Sequence, residues 1–181
     1  ISVGVSIGSV QGGAGLIKKV QFPHEHLVFS VIVAQFVTLL IELAVLCTAL
    51  LIAGNMVLPW LPALLVVLAL LALFTSGVAL MLSAANVFYH DVNYLWGILA
   101  QILFYTTPVI YNPATIDQPI VKLIANYGPT GSFITAIHNI MYDGRLPGVG
   151  RIIQLVAVAV VTFVVGLRVF ARLSPRFAEE M

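Results

Sequence analysis

Apolar residues in this chain gather into long runs with few polar interruptions. Leu27–Ala53 is broken only by single polar residues, Gln35 and Glu42 the largest of them. Leu61–Phe88 carries no charge at all. Tyr94–Tyr111 is interrupted by Thr106, Thr107 and Pro108, and Ile152–Phe170 carries Arg168 near its end. An α-helix rises about 1.5 Å per residue, so roughly 20 apolar residues cross a hydrocarbon layer about 30 Å thick. The four runs therefore predict four transmembrane helices, at 27–53, 61–88, 94–111 and 152–170. Gly54-Asn55 and Pro59 mark an uncharged turn between the first two.

Residues 112–150 read differently. They hold Pro113, Pro119, Pro129 and Pro147 together with scattered charges. Within them IVKLIANY (120–127) and SFITAIHNIM (132–141) pattern as short amphipathic helices. Apolar elements this short are re-entrant or interfacial rather than spanning. The expected fold class is an all-α integral membrane protein, with four transmembrane helices and two short re-entrant half-helices at one face.

The start of the chain is apolar and small. Gly4, Gly8 and Gly12 recur every fourth residue, a spacing that permits close helix approach; the simpler reading is the glycine-rich end of a helix. The chain opens on Ile1 with no charged region before the apolar residues, which is unlike a signal peptide. The expectation is an N-terminally truncated fragment. Residues 1–8 end a preceding helix, 9–26 form a polar connection, and 171–181 form a tail.

Composition narrows the class. Of 181 residues, 61% are hydrophobic and 8% charged, with mean hydropathy +1.09. A soluble domain carries about 25% charged residues. Eight basic and seven acidic residues cannot cover a water-soluble globule of this length, nor build a basic face for nucleic acid. Basic residues also orient the chain. Lys18 and Lys19 precede the first run, and Arg168, Arg172 and Arg176 close the last. Both ends of the fragment are expected in the cytoplasm. Lys122, Arg145 and Arg151 then fall outside, against the bias, within the long 112–150 segment.

Candidate chemistry is sparse. Gly12-Gly13-Ala14-Gly15 before Lys18-Lys19 lacks the phosphate-loop pattern, so any ATP is bound by another chain. His24 and His26 flank Glu25, but residues two apart on a helix diverge, and no cysteine or third histidine lies nearby. Cys47 is the single cysteine and forms no internal disulfide. No catalytic, cofactor or metal site is expected on this chain. Glu42 is the one acid inside a span, and intramembrane carboxylates are costly. A helix contact or a pore wall suits it better than a proton relay, for which it has no partner in its own span. Tyr94, Trp96, Phe104, Tyr105 and Tyr111 crowd one span. The end residues suit an interfacial belt, whereas Phe104 and Tyr105 sit deeper, where flat rings can stack on sugars.

Several of these segments resemble one known family. Gly15-Leu-Ile-Lys-Lys-Val-Gln-Phe-Pro23 resembles the LIKKV-x-FP-x-E segment of ABC-2-type permeases that export polysaccharides. Asn86-Val-Phe-Tyr-His-Asp91, Leu95-Trp-Gly-Ile-Leu and Thr107-Pro-Val-Ile-Tyr-Asn-Pro113 are similar to that family's N-x-x-x-R-D and P-x-x-Y stretch, with His90 in place of arginine. Arg172-Leu-Ser-Pro-Arg-Phe-Ala-Glu-Glu180 is similar to its short cytoplasmic tail.

The resemblance implies six transmembrane helices in a complete permease of the bacterial cytoplasmic membrane. It implies a homodimer with two ATPase subunits that hold ATP and Mg, and a lipid-linked polysaccharide substrate. Lys18, Lys19, Phe22, Pro23 and Glu25 match the coupling segment that meets the ATPase, although Lys18 and Lys19 suit anionic lipid equally well. The half-helices of 112–150 match gating helices at the outer mouth. Tyr94, Trp96, Phe104, Tyr105 and Tyr111 would line a glycan exit. The Ala/Val-rich, Lys-poor composition favours cell-wall galactan over O-antigen or teichoic acid. Two alternatives stand beside this reading. One is a proton-coupled carrier using Glu42. The other is a membrane enzyme acting on lipid-linked sugars, with His90-Asp91 or His138/Asp143 as its only acid–base candidates.

Overall fold

The computed structural model describes residues 2–12, 25–52, 54, 58–106 and 128–177. Among the described residues there are helices and short turns and no strand. The helices are α1 (Ser2–Gly12), α2 (Glu25–Ile52), α3 (Leu61–Phe88), α4 (Val92–Thr106), α5 (Pro129–Met141) and α6 (Val149–Leu173). Single 3-10 turns at Leu58–Trp60 and Ser174–Arg176 precede α3 and follow α6.

Local chemistry sets these boundaries. Glu25 opens α2 and places an acid on the positive end of the helix dipole. Gly54 follows α2 with φ +84° and donates its N–H to the Leu51 carbonyl at 3.1 Å, a left-handed cap that satisfies one of the terminal carbonyls. Pro62 lies in the first turn of α3, where a missing N–H costs nothing. The α3–α4 connection is a tight turn. Tyr89 N–H still bonds Ala85 O at 2.9 Å, and Leu95 N–H already bonds Asp91 O at 3.0 Å. Pro129 starts α5, and Arg172 lies in the last turn of α6.

Among the described residues three stretches are long and apolar enough to cross a membrane: Glu25–Ile52, Leu58–Phe88 and Val149–Arg176. The fourth run behaves differently. Its helix α4 has 15 residues, or about 22 Å at ~1.5 Å per residue, short of a ~30 Å core. Residues 107–111 of that run lie outside the described residues, as does the first half-helix at 120–127. Residues 132–141, read as the second half-helix, lie within the 13-residue helix α5.

The chain divides into two compact units. The first comprises Ile1–Ile41, Ala72–Ile98 and Ala159–Met181. Its core gathers Val28 and Ile32 of α2, Ala79, Leu80, Ala84 and Val87 of α3, Phe170 of α6, and Phe177. Phe177 is fully buried, and its ring meets Phe170 edge-on at 5.4 Å and Phe88 at 6.1 Å. The first residues of the segment read as a tail therefore continue the helix through the 3-10 turn at Ser174–Arg176, and Phe177, two helical turns beyond Phe170, enters the core.

In the same unit α3 and α6 cross at glycine on glycine. A β-carbon on Gly77 would lie 2.5 Å from the Thr162 carbonyl oxygen and 2.6 Å from Phe163 N. One on Gly166 would collide with the backbone of Gly77. The two main chains touch, a contact that only hydrogen side chains permit. The Gly4/Gly8/Gly12 stripe makes no such crossing: a β-carbon on Gly8 or Gly12 would meet nothing within 4 Å.

The second unit comprises Glu42–Leu71 and Leu99–Val158. Its α5 buries one face, formed by Gly131, Ser132, Phe133, Ala136, Ile140 and Met141. Leu64, Val67, Leu68 and Leu155 are also buried there.

Candidate functional site

The aromatic helix α4 is uncovered on most of its surface. Tyr94, Tyr105 and Phe104 are 73%, 67% and 53% exposed, which leaves these rings free to meet something outside the chain. Only Val92, Trp96, Ala100 and Leu103 are partly enclosed, and helical spacing puts those four on one stripe. The same spacing sets Tyr94, Gln101 and Tyr105 on the opposite side. Two of the predicted aromatics meet: Phe104 and Tyr105 stand edge-on at 5.7 Å. Trp96 instead faces inward, with its Cδ1 3.7 Å from where a β-carbon on Gly4 would lie. Tyr111 lies outside the described residues.

Asn86, at the head of the N-x-x-x-R-D-like stretch, anchors the start of α4. It is 1% exposed, so its amide needs partners. Its Nδ2 donates to the Ile7 carbonyl of α1 at 3.4 Å, and its Oδ1 accepts the Asn93 backbone N–H at 3.3 Å. One turn earlier, Ser83 Oγ donates to the Ser6 carbonyl at 2.8 Å. These two polar residues tie α1, α3 and α4 together inside an otherwise apolar unit. Sequence reading did not single them out for this. Their three-residue spacing late in an uncharged run was the available signal.

Glu42 lies near the middle of α2 and is exposed on the helix surface. Of the coupling residues, Glu25 is partly buried as the first residue of α2. Lys18, Lys19, Phe22 and Pro23 lie outside the described residues, as does His24; His26 is exposed. Among the described residues no three His, Cys, Asp or Glu side chains group as metal ligands.

The second unit holds a polar cluster that sequence reading also missed. Ser132 of α5 is 1% exposed and accepts two hydrogen bonds on its Oγ. Arg151 Nη1 donates at 3.1 Å and Gln154 Nε2 at 3.3 Å, both from the first turns of α6. A buried hydroxyl thus fastens α5 to the start of α6.

Residues 2–142 match the sequence profile of the ABC-2 type transporter family. The chain belongs to that family. It is 29% identical over 182 residues to the O-antigen export system permease protein RfbA of Myxococcus xanthus, covering 99% of this chain and 70% of the relative. It is 27% identical over 175 residues to a protein of the same name from Klebsiella pneumoniae, covering 96% of this chain and 67% of the relative. ABC-2 permeases are transport subunits rather than enzymes, and these relatives are named as export permeases. An ABC-2 permease works beside an ATPase. The membrane-enzyme alternative, with His90-Asp91 or His138/Asp143 as acid–base pairs, is therefore set aside.

Proposed function

We propose that this chain is part of the permease subunit of an ATP-driven exporter that carries a lipid-linked polysaccharide outward across the bacterial cytoplasmic membrane. The observation that carries the reading is the ABC-2 match over residues 2–142, together with export permeases aligned along 96–99% of the chain. In this reading two permease copies and two ATPase subunits form the machine, and ATP with Mg binds the ATPase. Closure of the ATPase pushes on the segment containing Lys18, Lys19, Phe22, Pro23 and Glu25. The Tyr94–Gln101–Tyr105 side of α4, with Phe104 beside it, forms wall for the glycan: flat rings for sugar faces and an amide for hydroxyls. Both ends of the fragment face the cytoplasm. The fourth apolar run, 94–111, is assigned the fourth crossing, and 112–150 the outer gating segment that the family resemblance implies.

Cell-wall galactan is the preferred cargo on composition, while O-antigen is the cargo named for the relatives. Deleting the gene in its own host and analysing lipid-linked glycan trapped inside the cell separates the two. Affinity purification of the full permease with its neighbouring ATPase tests the assembly. The pair should co-purify, and the double Lys18→Glu, Lys19→Glu variant should lose the ATPase while keeping its membrane level. No ATPase on the wild-type permease would refute the reading.

A further inference from the structure

We propose that the turn closing α5 is a sugar-binding platform built from His138, Tyr142, Asp143 and Arg145 beside Trp60. The proposal rests on the polysaccharide reading and assigns it a contact outside the α4 aromatics.

The platform begins with helical spacing. His138 and Tyr142 are one turn apart on the side of α5 opposite its buried face. Their rings stack at 4.7 Å with 25° between planes, and both are exposed. The following turn is held firmly. Tyr142 N–H donates to His138 O at 2.9 Å, and Arg145 N–H reaches back to Asn139 O at 3.1 Å. Gly144 takes φ +55°, and Trp60 Nε1 lies 3.3 Å from where its β-carbon would be. A side chain there would be strained and crowded, so the backbone stays close to the indole N–H. Asp143 and Arg145 flank Gly144, and both are exposed.

The chemistry matches a pyranose. Its C–H face packs on a flat ring, and its hydroxyls pair with a carboxylate acceptor and guanidinium or indole donors. Ionisable side chains stand beside Tyr142 at positions 138, 143 and 145, so partners for sugar hydroxyls lie next to the ring. Trp60 comes from the α2–α3 connection, whose residues 54–58 hold no basic residue. The uncharged 54–58 turn and the basic clusters at Lys18-Lys19 and Arg168–Arg176 put that end outside, with Arg145 and Arg151 set against the bias, and emerging glycan would meet it there.

Export of the native polysaccharide to the cell surface, in a deletion strain carrying the full permease gene at matched membrane levels, tests the proposal. Tyr142→Ala should cut export about tenfold, the loss of one stacking contact. Tyr142→Phe keeps the ring and should stay within about twofold of wild type, whereas Tyr142→Leu should fall with the alanine variant. Export by the leucine variant at the phenylalanine level makes the residue a membrane anchor and overturns the platform. Loss in all three variants, or in none, overturns it too. A wild-type gene that restores no surface glycan refutes the exporter reading itself.

Discussion

Adding one methyl group at Gly77 should separate α3 from α6. In a Gly77→Ala variant the new β-carbon would sit 2.5 Å from the Thr162 oxygen and 2.6 Å from Phe163 N, where ordinary contact begins at 3.4 Å. These are backbone atoms of a regular helix and cannot swing aside, so the helices must part by about 1 Å. A gap of that size forfeits about a quarter to a half of each affected van der Waals contact. Overpacking of this kind costs about 1–3 kcal/mol. Alanine returns up to about 1 kcal/mol through better helix propensity. The net loss is about 1–2 kcal/mol, or roughly 3–6 °C in melting temperature for a chain this long. The assay is thermal unfolding of the purified full permease, with Gly8→Ala as control. A β-carbon on Gly8 meets nothing within 4 Å, so that variant should melt at or slightly above wild type. A Gly77→Ala protein as stable as Gly8→Ala would refute the close-crossing argument.

Three further outcomes follow from the same packing. Asn86→Asp should destabilise at least as much as Asn86→Ala, because a carboxylate cannot donate to Ile7 O; a cost of about 1–3 kcal/mol is expected in melting experiments. Phe177→Ala empties a fully buried ring site and should cost about 3–5 kcal/mol, seen as faster proteolysis between α6 and the chain end. Glu42→Gln should leave ATP-dependent export intact. Loss of transport with ATP hydrolysis preserved would instead support a proton-coupled carrier.

Apolar length was the readable signal. Leu61–Phe88 is both an uncharged run and a helix with those bounds, because in such a run nothing but helix satisfies the backbone. The amphipathic spacing of SFITAIHNIM likewise appears in α5, whose Phe133, Ala136 and Ile140 are buried. What stayed hidden depends on pairs distant in sequence. Nothing about Gly77 alone points to Gly166, and Ser132 gives no hint of Arg151 or Gln154. Near the end Arg172 and Arg176 are exposed as their charge suggests, while Phe177 beside them lies in the core, which charge could not show. At the candidate site, the exposure of Tyr94, Phe104 and Tyr105 was foreseeable from an aromatic cluster, whereas the inward turn of Trp96 onto Gly4 was not.

The Phe177 plug bears on the order of assembly during synthesis. It shares a core with Val28 and Ile32, residues made far earlier by the ribosome. The α2–α3 hairpin must therefore enter the bilayer while that core is open, with lipid tails against Val28 and Ala84. Helix docking then replaces lipid with protein, as when independently stable spans associate after insertion. Only when α6 and the 3-10 turn after it have been made can the rings of Phe88, Phe170 and Phe177 close on one another. Until then the nascent permease carries an unfilled core suited to quality-control factors that survey unfinished membrane proteins.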